Sequence, residues 1–282
     1  MPPIITLLTD FGSEDGYAAV MKGVILARNP AATIVDISHA VPPQDVLAGA
    51  NILNTAYSYF PADTIHVVVV DPGVGTTRRL VVLQTPDATF VAPDNGVLIH
   101  IIKAYGGRFT GPTPNGSRHG PPPRQLIPLP EPLKAWSITN TSLFLSDVSH
   151  TFHGRDILSP VAAALSNGLA PNKVGPAIDD IAVFPLPRVF KEKSEDIVGT
   201  VIHVDRFGNL VTNLQLEDLG GQQAAFLIAG RTIEGLSTSY AEAAALLAIV
   251  GSNGYIELAV RNGNAAQKLG VGRGTQFSVH LS

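Results

Sequence analysis

The chain has 282 residues, a net charge of −4, and 45% hydrophobic against 15% charged residues. That composition excludes a disordered chain and argues against a nucleic-acid binder, which carries a basic patch. The chain contains no cysteine, which excludes disulfides and thiolate chemistry and argues against a structural zinc site.

The first eight residues hold no basic stretch before Asp10, so they do not read as a secretory signal. Residues 4–8 are a short apolar run ending in Thr9-Asp10-Phe11-Gly12, which predicts a buried strand entering a loop. Residues 17–28 carry helical spacing, 33–37 predict a second strand ending in Ser38-His39, and 47–59 a second helix. Residues 65–70 are a strand, apolar except for His66, that ends at Asp71; 80–84 and 89–92 are further strands, and 96–104 is helix-like. Strands alternating with helices predict an α/β domain with a largely parallel central sheet covered on both faces. Four strands end at or near polar residues, Asp10, Ser38-His39, Asp71 and Asp94-Asn95, and ligands of open α/β sheets bind outside the carboxyl ends of the strands.

Residues 106–132 are rich in proline and glycine and read as an exposed loop, either a tolerated insertion or a lid. Order resumes over 137–145, then Thr151-Phe152-His153-Gly154-Arg155-Asp156 leads into a helix over 157–169. Residues 171–195 read as a linker, so the N-terminal domain is expected over 1–190. Beyond it, short strands at 197–204, 210–214, 225–228, 231–233, 256–260 and 277–281, several bounded by glycine turns, predict a smaller C-terminal β-barrel or sandwich over 197–282. The longest apolar run, 243–250, is too short for a bilayer core of ~30 Å. A cytoplasmic protein with no membrane or nucleic-acid partner is the expectation.

Four constellations can carry chemistry. In Val70-Asp71-Pro72-Gly73-Val74-Gly75-Thr76-Thr77-Arg78 a buried strand delivers a carboxylate into a glycine-rich turn. Asp71 and Arg78 fit two roles equally well from residue chemistry alone, orientation of a water or a structural brace for the loop. His153 is the best candidate in the chain for a group titrating near neutrality. Asp10, His39, Asp71, His150 and His153 lack the spacing of a metal site, and none is expected. In Asp205-Arg206-Phe207-Gly208-Asn209 the Asn209 amide suits an adenine edge and Phe207 a base face, or the segment is a plain Gly-Asn turn. Ser252-Asn253-Gly254-Tyr255 and Val260-Arg261-Asn262-Gly263-Asn264 offer groups suited to an amino acid, or form ordinary hairpins.

Together these segments resemble the S-adenosylmethionine hydroxide adenosyltransferases, relatives of the fluorinases and chlorinases. The resemblance rests on Leu8-Thr9-Asp10-Phe11-Gly12, Asp36-Ile37-Ser38-His39, Val70-Asp71-Pro72-Gly73-Val74-Gly75, Ala92-Pro93-Asp94-Asn95-Gly96-Val97, Thr151–Asp156, Phe207-Gly208-Asn209 and Asn262-Gly263-Asn264-Ala265-Ala266. It implies an adenosine-forming hydrolase whose substrate is S-adenosylmethionine, with no further cofactor. It also implies a homotrimer, with substrate between one subunit's N-terminal domain and a neighbour's C-terminal barrel. By position, Asp10 would bind the ribose hydroxyls. Phe207, Asn209 and Tyr240, with backbone groups at Val260 and Asn262, would surround adenine. Asp15, Asp205, Ser252 and Asn253 would hold the methionine end. Asp71 stands where the halogenases have a tyrosine beside a halide; with Arg78 and His153 it resembles the hydrolases' water-activating set. Tyr17 stands where the halogenases have a small hydroxyl residue, and Asn253 where they have arginine. Two other readings stay open beside the hydrolase: a halogenase, and a nucleoside-binding protein with little turnover.

Overall fold

The computed structural model describes residues 2–109, 124–191, 196–241 and 245–282. Most of the 106–132 loop expectation falls on 110–123, outside the described residues. The chain divides into two compact units, the boundary lying between Phe184 and Pro185.

The first unit carries β1 (Ile4–Thr9), α1 (Tyr17–Arg28), β2 (Thr33–Ser38), α2 (Val46–Ala56), β3 (Thr64–Val69), β4 (Leu80–Gln84), β5 (Ala88–Pro93) and α3 (Ile99–Ala104). It continues through β6 (Gln125–Pro128), β7 (Lys134–Ser137), α4 (Ser159–Ser166), β8 (Ala177–Ile178) and β9 (Asp180–Val183). Seven strands form one sheet in the order β2-β1-β3-β5-β4-β7-β8. The four strands β2-β1-β3-β5 run parallel. From β5 onward every pairing is antiparallel, so the sheet is mixed, its parallel half being the half that ends at Asp10, His39 and Asp71.

Period-two alternation decides which side chains meet which helix layer. Ile5, Leu7, Val67 and Val69 join Met21 and Ile25 of α1 and Val161 and Ala162 of α4 in one buried cluster. Each of the Val, Leu, Ile and Met side chains among them contributes about 1.5–3 kcal/mol when fully buried. The alternate residues turn to the opposite face, where Thr6 Oγ1 and His66 Nδ1 pair at 2.8 Å and the His66 ring stacks on Phe90 at 5.0 Å. Asp45 caps α2 by accepting from the Ala48 amide at 3.0 Å.

Three local expectations are corrected. Residues 125–128, expected as loop, form β6, which pairs with β9. The region 171–195, expected as a linker, holds β8 and β9 and, at its end, β10 (Phe190–Lys191). These strands are only two to four residues long, and β6, β8 and β9 are held by partners distant in sequence, so local composition hides them. The helix expected from 157 is preceded by a wide π turn, Gly154–Leu158, that starts directly after His153.

The second unit holds β11 (Ile197–Val204), β12 (Leu210–Gln215), β13 (Ala224–Ile228), β14 (Arg231–Glu234), β15 (Leu246–Val250), β16 (Tyr255–Val260), α5 (Ala265–Leu269) and β17 (Gln276–Leu281). The strands follow the order β14-β13-β17-β11-β12-β16-β15, with β10 added on β11. Adjacent pairs are antiparallel, and a bridge between Ser237, just past β14, and Ile249 of β15 nearly closes the barrel. Residues 246–250, the end of the apolar run, form β15.

Candidate active site

The parallel half of the first unit sets adjacent strand ends side by side. β3 delivers Asp71 one residue beyond Val70, whose carbonyl accepts from Asn95 Nδ2 at 2.8 Å. Asn95 also accepts from the Val97 amide at 3.1 Å, so the loop after β5 braces the end of β3. The turn that follows closes through Val74 N to Asp71 O and Thr76 N to Gly73 O, both 3.1 Å. Gly75 sits at φ +78° with the His150 carbonyl where a Cβ would lie, so a glycine is required there.

That turn returns Arg78 onto Asp71. Arg78 Nε donates to Asp71 Oδ1 at 2.8 Å and Oδ2 at 2.7 Å, and its Nη2 donates to Oδ2 as well. Both side chains are nearly inaccessible, at 5% and 4% exposure. The same Nη2 lies 3.0 Å from His153 Nδ1. A guanidinium can only donate, so Nδ1 accepts and the neutral ring carries its proton on Nε2. Burial pushes the His153 pKa down, and the Arg78 charge pushes it further; Asp71, Asp156 and the Ser149 carbonyl pull the other way without prevailing. The structure thus brings Asp71, Arg78 and His153 into one network.

His153 is seated by its neighbours. Asp156 is fully buried and accepts from the Ser149 amide and hydroxyl at 2.9 and 2.8 Å and from Arg155 Nε at 2.5 Å. Burial alone would raise the Asp156 carboxyl, but these donors outweigh it and hold it below its ordinary value.

Asp10 leaves the end of β1 and accepts from the Gln44 amide at 2.7 Å. Burial raises its pKa and the Asp71 carboxylate adds to the rise, which puts the two carboxyls within electrostatic reach. His39, at the end of β2, pairs through Nδ1 with Thr9 Oγ1 at 2.8 Å and through Nε2 with Asp36 at 3.0 Å. Asp15 is exposed at the mouth of the loop before α1. Asp94 departs from the expected shared edge. Its Oδ1 accepts from the Ala182 amide at 2.7 Å and its Oδ2 from Arg79 Nε at 2.8 Å, so it clamps β9 to the sheet. Among the described residues, no group of three His, Cys, Asp or Glu side chains forms a metal site.

The second unit presents a different surface. Asp205 Oδ1 accepts from the amides of Phe207 and Asn209 at 2.9 and 2.8 Å, and Asn209 Nδ2 donates to Asp205 Oδ2 at 2.9 Å. This is a tight turn with Gly208 at φ +85°, pressed against Asn264. It leaves the Phe207 ring 76% exposed while Asn209 is buried. Tyr240, 45% exposed, donates to Glu257 Oε2 at 3.3 Å. Glu257 is buried on β16, and burial, helped by the Asp205 charge, raises its pKa above the ordinary value. Sequence reasoning missed Glu257; the one signal was a carboxylate inside the apolar strand YIELAV. Ser252 and Asn253 lie in the β15–β16 turn, where Asn253 Oδ1 accepts from the Tyr255 amide at 3.2 Å. The Val260 carbonyl accepts from Gly263 N at 3.1 Å, and Asn262 stands at φ +52° in the same turn.

The chain matches two family models. Residues 5–112 and 125–175 match the SAM hydroxide adenosyltransferase N-terminal domain, and residues 199–278 match its C-terminal domain. The chain belongs to the SAM hydroxide adenosyltransferase family. It is 34% identical to a Salinispora tropica protein named (R)-S-adenosyl-L-methionine hydrolase, over 98% of this chain and 97% of that one. It is 35% identical to a Thermus thermophilus protein of the same name, over 96% of both. A fluorinase from Nocardia brasiliensis is 28% identical over 91% of this chain and 90% of its own. A crystal structure of an uncharacterised conserved protein from Thermotoga maritima superposes with a TM-score of 0.82 at 33% identity, covering 98% of this chain and 99% of that one.

Proposed function

We propose that the protein hydrolyses S-adenosylmethionine at the 5′ carbon to adenosine and methionine, with Asp71, Arg78 and His153 as its catalytic set. The observation that carries this reading is the interlocked Asp71–Arg78–His153 network in a chain whose relatives are named hydrolases. Those names specify the R configuration at sulfur, and we take that epimer as the substrate here too.

The sulfonium is already a good leaving group, so no acid is needed on that side. The oxygen of a water attacks C5′, the C5′–S bond breaks, and its electron pair stays on sulfur as the thioether of methionine. As the C–O bond forms, the oxygen becomes an oxonium far more acidic than a carboxylic acid. A salt-bridged carboxylate is then base enough, and Asp71 takes the proton. His153 is not the base in this arrangement, because Nδ1 already accepts from Arg78. Its Nε2–H donates to one lone pair of the water and leaves the other aimed at carbon. An anionic Asp71 in that place repels a halide.

In the same reading Asp10 binds the ribose hydroxyls. Phe207, Asn209, Tyr240, Val260 and Asn262 surround adenine, and Asp15, Asp205, Ser252 and Asn253 hold the methionine end. The protein works as a cytoplasmic homotrimer with substrate shared between neighbouring subunits. Incubation of the purified protein with each sulfur epimer in chloride buffer, with products separated by chromatography, tests the reaction. Adenosine and methionine are expected, fastest from the R epimer. 5′-Chloroadenosine as the main product would make the protein a halogenase, and no turnover of either epimer would leave a binding protein.

A further inference from the structure

Resting on that reading, we propose that Tyr17, backed by Phe11 and Phe152, forms the aromatic wall against which the substrate's sulfonium lies. The three rings pack together, edge-on for Phe11–Phe152 and Tyr17–Phe152 and tilted by 52° for Phe11–Tyr17, with centroids 5.5, 5.2 and 5.6 Å apart. Phe11 directly follows Asp10, and Phe152 directly precedes His153. The cluster therefore joins the two chain segments that carry the site.

A purely structural cluster would bury all three rings. Phe11 and Phe152 do pack against the core, but Tyr17, the first residue of α1, is 49% exposed. One face of Phe152 already lies under a cation, the Arg155 guanidinium, at 5.1 Å. Tyr17 is the ring left with open surface.

The chemistry of a sulfonium narrows what can hold it. It carries a positive charge but no N–H or O–H, so it cannot be recognised by donated hydrogen bonds. Carboxylates at a distance and the negative faces of aromatic rings remain. For an in-line attack, sulfur sits on the far side of C5′, about 5 Å from the attacking oxygen. That is within reach of a ring next to His153. The fixed charges around it suit a cation, since the carboxyls of Asp10, Asp71 and Asp156 stand against the two guanidiniums of Arg78 and Arg155.

The test uses full-length protein carrying D71N, so that substrate persists, and compares Y17L and Y17F in that background. Three probes share the adenosyl and amino-acid parts: S-adenosylmethionine, its neutral demethylated thioether, and the analogue with a protonated amine replacing the sulfonium. Y17L is expected to weaken both cationic probes about 5-fold and the thioether less than 2-fold. Y17F, which keeps the ring, is expected to bind all three like the parent. Equal weakening of all three by Y17L, no weakening of the cations, or the same loss in Y17F overturns the proposal. Selective loss of S-adenosylmethionine alone, without the amine analogue, overturns it too, since that marks methyl packing. Tight binding of S-adenosylmethionine by the D71N parent separates failure of this wall from failure of the substrate assignment.

Discussion

The two units carry candidate residues of opposite character. At the strand ends of the first unit the groups are buried, charged and already bonded to one another: Asp71 and Arg78 are each about 95% covered and Arg78 also holds His153. In the second unit the turn at 205–209 satisfies its own polar groups and pushes an apolar ring outward, with Phe207 76% exposed. A network in which each position is fixed by its partners suits a step where one atom must be placed closely. An exposed ring on a rigid turn suits recognition of a flat surface. The comparison divides the expected effects of substitution into loss of turnover and loss of affinity.

The largest effect is expected from the first unit. Asp71→Asn and His153→Ala should each cut kcat by ~10²-fold or more while leaving the substrate dissociation constant within a few-fold. Single-turnover quench experiments alongside calorimetric binding measure the two separately. If either variant turns over like wild type, the network is a structural brace. Arg78→Met removes both the donor to Nδ1 and the charge that depresses the imidazole. The His153 pKa should then rise. Heteronuclear NMR titration of the ring measures this, and an unchanged or lower pKa would show that Arg78 does not set it.

Stability should divide between the units as well. His66 and His100 are buried in the first unit, and burial holds both pKa values down to about 4. His100 adds a coulombic push from Lys103. The unfolded chain binds these protons at its ordinary value of 6.5. Stability is therefore full above pH 6.5 and is lost as pH falls toward 4, by about 2–3 kcal/mol for each histidine at pH 4.5. Glu257 in the second unit has the opposite sign. Its folded pKa is raised, so the unfolded chain releases that proton first, and acidification relieves the barrel. The single tryptophan, Trp136, lies on β7 and reports the first unit alone. Its urea midpoint should fall steeply from pH 7 to pH 4.5, while the barrel's circular-dichroism component moves less. Coincident shifts would show that the units do not differ in this way.

Much of the fold was legible because its longer elements announce themselves. The apolar run before Asp71 predicted β3, and the spacing of 17–28 predicted α1 with both ends correct. Among the antiparallel strands of the first unit β4 was legible at 80–84, and the short β6, β8 and β9, of which β6 and β9 form a small sheet of their own, were not. β6, β8 and β9 are short and proline-flanked, and pairing such as Gln125 with Val183 exists only once distant segments meet. The candidate site was legible to the same degree. Asp71, Arg78 and His153 carried a chemical pattern, yet nothing local separated a strand-end carboxylate that joins Arg78 beside His153 from one that braces the sheet. Asp94 looked equivalent to Asp71 and proved to be bound by Arg79 and the Ala182 amide. Glu257 was invisible for the reverse reason. It lies within an apolar strand, and Tyr240 and Gly251, which meet its carboxyl, come together with it only in the fold.

The smallest effect, and the sharpest test of the division, concerns Phe207. Truncation to alanine leaves the turn intact, because the Asp205 carboxylate bonds backbone amides at 207 and 209 and not the phenyl ring. The barrel core is also spared, since the ring is mostly exposed. What is lost is one stacking face, worth about 1–3 kcal/mol against a base. The expected result is a KM raised about 10-fold with kcat within 2-fold of wild type, and an unchanged melting temperature. Phe207→Leu should fall between, keeping apolar area without the flat π surface. If kcat falls instead and KM holds, the second unit does more than recognise. Phe207 would then be positioning the reacting carbon, and the contrast between a chemical and a recognising region would give way to a single site in which both set the geometry of attack.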